Sequence, residues 1–154
     1  MKLVIFDCDG VLVDSEAILV EAELDFFKNH RVEISRESYL DEYMGIPLDD
    51  WKAKASILLN NKLGTRISED IFKPLEESIS RRLAEELLAI DGAHEAISSL
   101  KNSICVASSS SITSLESKLI KTELFDLFAP HIFQPSWLKM ENRHLIFSCM
   151  QRSN

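Results

Sequence analysis

MKLVIFDCDGVLVDSE, residues 1–16, sets a short apolar run against two aspartates one residue apart. Leu3 to Phe6 is continuous, apolar and partly β-branched, which predicts a strand buried on both faces, as in a parallel sheet. The run ends in Asp7-Cys8-Asp9-Gly10. In open α/β sheets ligands bind beyond the carboxyl ends of strands. Side chains two apart in extended chain share a face, so Asp7 and Asp9 can serve one pocket. Gly10 lets the backbone turn sharply after them. Adjacent carboxylates repel unless a cation or a shared proton relieves them, and a hard, oxygen-seeking ion such as Mg²⁺ suits that need. One carboxylate of such a pair can attack a phosphorus and become an aspartyl-phosphate. The other can protonate the leaving oxygen and then activate water. A calcium loop also uses D-x-D, but it needs its glycine later and more oxygen ligands.

Downstream of this stretch the pattern turns helical. Ala17, Leu19, Val20, Glu21, Leu24 and Phe27 predict an amphipathic helix from about Ser15 to Asn29. Helices are expected over Ser38–Tyr43 and Leu48–Leu59, broken by Gly45 and Pro47, with a stop at Asn60 to Gly64. Ile67–Leu88 reads as one further helix with Ser68 as its N-cap. Then the pattern changes: a turn at Asp91-Gly92, a short helix Ala93–Leu100, a second apolar strand Ser103–Ala107, a serine run Ser108 to Ser111, a helix Ile112–Lys121, a helical turn Leu124–Phe128 and a third strand starting at Ile132-Phe133. Strand, helical block, then helix–strand–helix–strand predicts an α/β core with a helical insertion after its first strand.

The chain of 154 residues has room for one domain with a small insertion, and 45% hydrophobic residues suffice for a packed core. A formal charge of −8 disfavours nucleic acid and anionic membranes as partners. It leaves room for a small phosphorylated metabolite, since one local cation outweighs the global field. Cys8, Cys105 and Cys149 lack pairing spacing and read as reduced thiols of a cytoplasmic protein. No Cys/His cluster suggests zinc. The N-terminal apolar run is too short for a signal peptide or a membrane span. No obligate protein partner is evident.

F-D-C-D-G-V-L-V-D-S-E resembles the first motif of the haloacid dehalogenase superfamily, in its β-phosphoglucomutase-like phosphatase branch. The family pattern D-x-D-G-[TV]-[LI]-x-D-[ST] is met by Asp7, Asp9, Gly10, Val11, Leu12, Asp14 and Ser15. The resemblance implies that Asp7 is the nucleophile and Asp9 the general acid/base, that Asp7 and the Asp9 backbone carbonyl hold Mg²⁺, and that Gly10 lies at the phosphate. Ser108, after I-C-V-A, would be the family's phosphoryl-binding hydroxyl, with Ser109 beside it. On its own a serine there reads as a cap for the next helix. D-G-A-H-E-A-I, residues 91–97, is similar to the segment that re-enters the family core; His94 is read as a surface residue. Implied is a Rossmann-like parallel-sheet core (1–15 and 89–135) with a helical cap (16–88), hydrolysing small phosphate monoesters such as sugar phosphates. Met44-Gly45-Ile46-Pro47-Leu48 resembles the cap's substrate loop. It has no basic residue for a second phosphate, which favours hydrolysis over phosphoglucomutase chemistry. Lys52 and Lys54 lie nearby and are read as solvated helix charges.

After Phe133 the resemblance stops. The family continues with a Lys-Pro motif and later an acidic pair, whereas residues 134–154 read Q-P-S-W-L-K-M-E-N-R-H-L-I-F-S-C-M-Q-R-S-N. A permissible coding sequence for that tail, read in another frame, gives V-K-N-G-K-P-A-P-D-I-F. The expectation is therefore a frameshifted, shortened chain. Its core would be incomplete, residues 136–154 would be out of frame, and catalysis would be impaired. Readings of another class are a non-catalytic remnant or an interaction module built from the cap helices.

Overall fold

The computed structural model describes residues 3–134. In chain order its elements are β1 (Leu3–Phe6), α1 (Ser15–Asn29), α2 (Arg36–Tyr43), α3 (Leu48–Leu63), a 3₁₀ turn (Glu69–Phe72), α4 (Lys73–Glu86), α5 (Ala93–Ser98), β2 (Ser103–Ala107), α6 (Ile112–Lys121), α7 (Phe125–Phe128) and β3 (Ile132–Phe133). They fall into two compact units, Met1–Ser15 with Leu87–Asn154, and Glu16–Glu86.

The first unit is a parallel sheet with strand order β1-β2-β3, which is Rossmann-like. Leu3 lies opposite Ser103 and Phe6 opposite Val106; Val106 in turn faces Ile132. The expectation of a first strand buried on both faces needs correction, because all four β1 residues are half-buried. Among the described residues β1 pairs on one side only, whereas the central β2 buries Cys105 and Val106. Leu115 and Leu119 on α6, Leu124, and Phe128 on α7 complete the apolar interior, with Phe128 edge-on to Phe6 at 5.6 Å. The chain leaves this unit after Ser15 and returns at Leu87. The Asp14 amide donates to the Leu88 carbonyl at 3.0 Å and the Ile90 amide to the Leu12 carbonyl at 2.9 Å, so the two crossings are stitched together.

The second unit is helical. Its core joins Phe26 and Phe27 of α1, Tyr39 and Tyr43 of α2, Trp51, Ala55 and Leu59 of α3, and Phe72. The Trp51 indole donates to the Tyr39 hydroxyl at 3.0 Å, satisfying both polar groups inside the aromatic cluster. The α1 bounds agree with the sequence pattern, and Val20 and Phe27 are buried as expected, but Ala17 and Glu21 are exposed and Ile18, Ala22 and Phe26 join the buried face. α3 continues to Leu63 because its cap lies at Gly64, whose φ of +67° is left-handed. The helix expected over residues 67–88 is two elements. Ser68 caps the 3₁₀ turn, and α4 begins at Lys73 with Pro74 in its first turn, where a missing amide hydrogen costs nothing. α5 stops at Ser98 rather than Leu100, and the Ser99 hydroxyl donates back to the Ala96 carbonyl.

Candidate active site

The parallel pairing of β1 with β2 brings the chain out of both strands at the same end of the sheet. Asp7 to Asp9 follow one strand and Ser108 to Ser110 the other. The first of these segments winds around one carbonyl. Cys8 C=O accepts from the amides of Val11, Leu12 and Val13 at 3.3, 2.8 and 3.1 Å. Closing so tight a loop needs a left-handed residue, and Gly10 has φ +71° with its amide on the Val13 carbonyl at 3.0 Å. The Cys8 side chain is fully buried. Its two neighbours therefore face the other way, with Asp7 exposed and Asp9 half-buried.

Asp9 sits in a dense polar network. Its Oδ1 accepts from the Ser15 hydroxyl at 2.5 Å and from Lys118 Nζ at 2.6 Å, and its Oδ2 accepts from the Ser110 hydroxyl at 3.1 Å. Lys118 Nζ also reaches Ser110 Oγ at 3.2 Å. The Ser110 amide donates to Ser108 Oγ at 3.1 Å, and the Ser108 amide to the Phe133 carbonyl at 3.2 Å, so β3 holds the serine run in place. Burial alone would raise the Asp9 carboxyl pKa. The hydrogen bonds from Lys118 and Ser15, with the ammonium charge, outweigh burial and hold it below its ordinary 3.8. The Cys8 thiol is pushed up to about 12 by burial and then by the Asp9 charge. It stays protonated and does not compete as a nucleophile.

The structure thus links Asp9 and Ser108 through Ser110, with Gly10 in the adjoining turn and Asp7 exposed beside it, its Oδ1 accepting from the Cys8 amide at 2.7 Å. Ser109 is exposed and joins none of these bonds. Three participants were missed from sequence: Ser15, Ser110 and Lys118. Ser15 and Ser110 look like helix caps. Lys118 looks like an ordinary helix cation, but its position was legible: it shares the apolar face of α6 with Leu115 and Leu119, three residues after one and one before the other. It is 8% exposed. His94 is exposed, as read. Lys139, Cys149 and the divergent tail lie outside the described residues.

For a hard cation the oxygens to consider are those not already engaged. The Asp9 carboxylate is taken up by Ser15, Ser110 and Lys118. Among the described residues Asp7 Oδ2 and the Asp9 backbone carbonyl accept no hydrogen bond. Two oxygens with water completing the shell fit Mg²⁺, which binds through one or two carboxylates and keeps several waters. No cluster of three or more acidic, His or Cys side chains is present among the described residues.

A family model described as haloacid dehalogenase-like hydrolase matches residues 4–154. The chain belongs to this family. The match continues through the tail that the motif reading set apart. Among curated relatives of this haloacid dehalogenase-like chain, 6-phosphogluconate phosphatase of Escherichia coli K12 is 26% identical over 133 residues, covering 86% of this chain and 59% of the relative. Hexitol phosphatase B of the same organism is 32% identical over 132 residues, covering 80% and 56%. A solved haloacid dehalogenase-like protein from Agrobacterium tumefaciens superposes with a TM-score of 0.73 at 33% identity, covering 86% of this chain and 58% of that one. The chain spans less than three fifths of each of these proteins. No helix among the described residues is long and apolar enough to cross a membrane.

Proposed function

We propose that this site hydrolyses small phosphate monoesters, of the sugar-phosphate class, through an aspartyl-phosphate on Asp7. The observation that carries the reading is the arrangement at the sheet's carboxyl end: an exposed carboxylate, Asp7, beside a second, firmly held carboxylate, Asp9, that is bonded into the Ser108 loop. The two curated relatives, both phosphatases by name, support the substrate class.

Asp7 attacks phosphorus as the ester P–O bond breaks, and the leaving oxygen takes a proton from the acid form of Asp9. Asp9, now a carboxylate, takes a proton from water. That water's oxygen attacks phosphorus, the bond to Asp7 breaks, and inorganic phosphate leaves with both aspartates restored. The lowered pKa holds the resting Asp9 ionised, which suits the second half-reaction; the first half requires it to take up a proton. Ser108 steadies the phosphoryl oxygens, and Gly10 allows close backbone approach. Asp7 and the Asp9 carbonyl would hold Mg²⁺, which when bound offsets charge on the phosphoryl oxygens.

Hydrolysis is favoured over mutase chemistry by the state of the two lysines that follow the loop at residues 44–48. Lys52 is paired with Glu76 at 2.6 Å and Lys54 with Glu42 at 3.1 Å, so neither is free for a second phosphate. The test is chemical trapping. With acetyl phosphate and Mg²⁺, a hydroxylamine-sensitive phosphoryl group should appear on the peptide containing Asp7 and vanish in Asp7→Asn. Label that persists in the variant, or maps elsewhere, refutes the assignment.

A further inference from the structure

Lys118 is the one Lys, Arg or His that touches this cluster among the described residues. A nearly buried ammonium on an otherwise apolar helix face is costly unless it is fully engaged. An ammonium has three donors. Two are spent, on Asp9 Oδ1 at 2.6 Å and Ser110 Oγ at 3.2 Å; the third meets no partner among the described residues. The same Ser110 is bonded through its amide to Ser108 Oγ. Nζ thus bonds the proposed acid/base directly and is linked through Ser110 to the proposed phosphoryl-binding hydroxyl. The charges point the same way. Two carboxylates against one ammonium leave the cluster negative, and an incoming phosphate monoester is negative too. A fixed cation is most effective where such charge gathers away from water.

We propose that Lys118 is a phosphate-binding residue of this site: it anchors Asp9 together with Ser15 and Ser110, and donates its remaining N–H as a hydrogen bond to the substrate's phosphoryl group. The proposal rests on the phosphatase reading above and adds to it a cation contributed by α6, outside the motif stretches. Lysine suits the place because its compact, rotatable head can serve a carboxylate, a hydroxyl and a phosphoryl oxygen together.

The test separates a phosphate contact from mere support of Asp9. Inorganic phosphate is titrated calorimetrically, with Mg²⁺ present, into four proteins: wild type, Lys118→Arg, Asp9→Asn, and Asp9→Asn combined with Lys118→Met. The last pair removes the carboxylate first, so no charge is left buried alone when the ammonium goes. A direct contact predicts that adding Lys118→Met to Asp9→Asn weakens phosphate binding by about tenfold or more, the worth of a hydrogen bond between charged groups. Lys118→Arg should retain part of the affinity. Equal affinity of Asp9→Asn and the double variant overturns the proposal while leaving the phosphatase site standing. Absence of phosphate binding by wild type overturns both. A second measurement needs no variant to fold. In protein carrying ¹⁵N-lysine, the slow-exchanging Lys118 ammonium signal should shift on phosphate addition, and a signal that stays put as phosphate saturates the site refutes the contact.

Discussion

Breaking the Lys118–Asp9 pair provides a quantitative test of the site's resting state. The ammonium side chain is 9% exposed and the carboxylate 29% exposed, at 2.6 Å. Removing one partner of a buried pair costs about 3–5 kcal/mol, because the other charge is stranded. Asp9 keeps Ser15 and Ser110 and some access to water, so Lys118→Met should cost about 2–3 kcal/mol. Methionine fills much of the lysine stem's volume, so little of this is a cavity. Asp9→Asn strands the ammonium and should cost about as much. The double variant strands neither, and should cost about 2 kcal/mol rather than the roughly 5 kcal/mol of simple addition, a coupling of about 2–3 kcal/mol. Acid should show the same pair. A carboxyl whose folded pKa is depressed contributes stability above its unfolded value, 3.8, and loses it as pH falls below that. Lys118→Met should flatten this acid limb. Native-state hydrogen exchange at the Val106 and Ser108 amides, bonded to the carbonyls of His131 and Phe133, reads this unit without requiring the two units to unfold together. Costs that add within about 0.5 kcal/mol, with an unchanged acid limb, refute the pair and the site geometry built on it.

Two further outcomes concern the helical unit. Burial raises the Glu23 carboxyl from 4.5 to about 7; a raised folded pKa contributes stability below pH 4.5 that is lost as pH rises through 7. Glu23→Gln should remove that slope and stabilise the chain by up to about 3 kcal/mol at pH 8, read by urea titration across pH; parallel pH curves for the two proteins reject this. Leu59→Ala, at a fully buried position in the aromatic core, should cost about 2–5 kcal/mol, and a loss under 1 kcal/mol in urea unfolding would contradict the packing described.

Much of the fold was legible because its signals are local. β1, β2 and α6 follow from short apolar runs bounded by acid, serine or a turn, and their ends agree with the sequence pattern. The α3 end falls later than the pattern predicts, because Asn60 reads as a breaker, yet it lies within α3, which its cap at Gly64 ends, and its side chain accepts the Ile67 amide at 2.7 Å. The half-burial of β1 was hidden for a similar reason. Strand composition gives the capacity for burial on two faces, but the neighbours decide whether it is used.

The site divides along the same line. Asp7, Asp9 and Gly10 lie within four residues, so their common place at a strand end could be read from spacing, while the resemblance implied their roles. What sets the state of Asp9 comes from positions 15, 110 and 118. Each of those residues has a sufficient local explanation as a cap or a solvated charge, and only the pairing of β1 with β2 brings them to one carboxylate. This arrangement also explains why the buried residue between the aspartates can be a cysteine. Cys8 serves as the inward peg of the loop, and with its thiol pushed up to about 12 it stays uncharged beside the Asp9 carboxylate. An ionisable group titrating near neutrality there would add a third negative charge where the proposed substrate's phosphate would sit. A protonated thiol fills the space and leaves Asp7 as the exposed carboxylate of the pair, the proposed nucleophile.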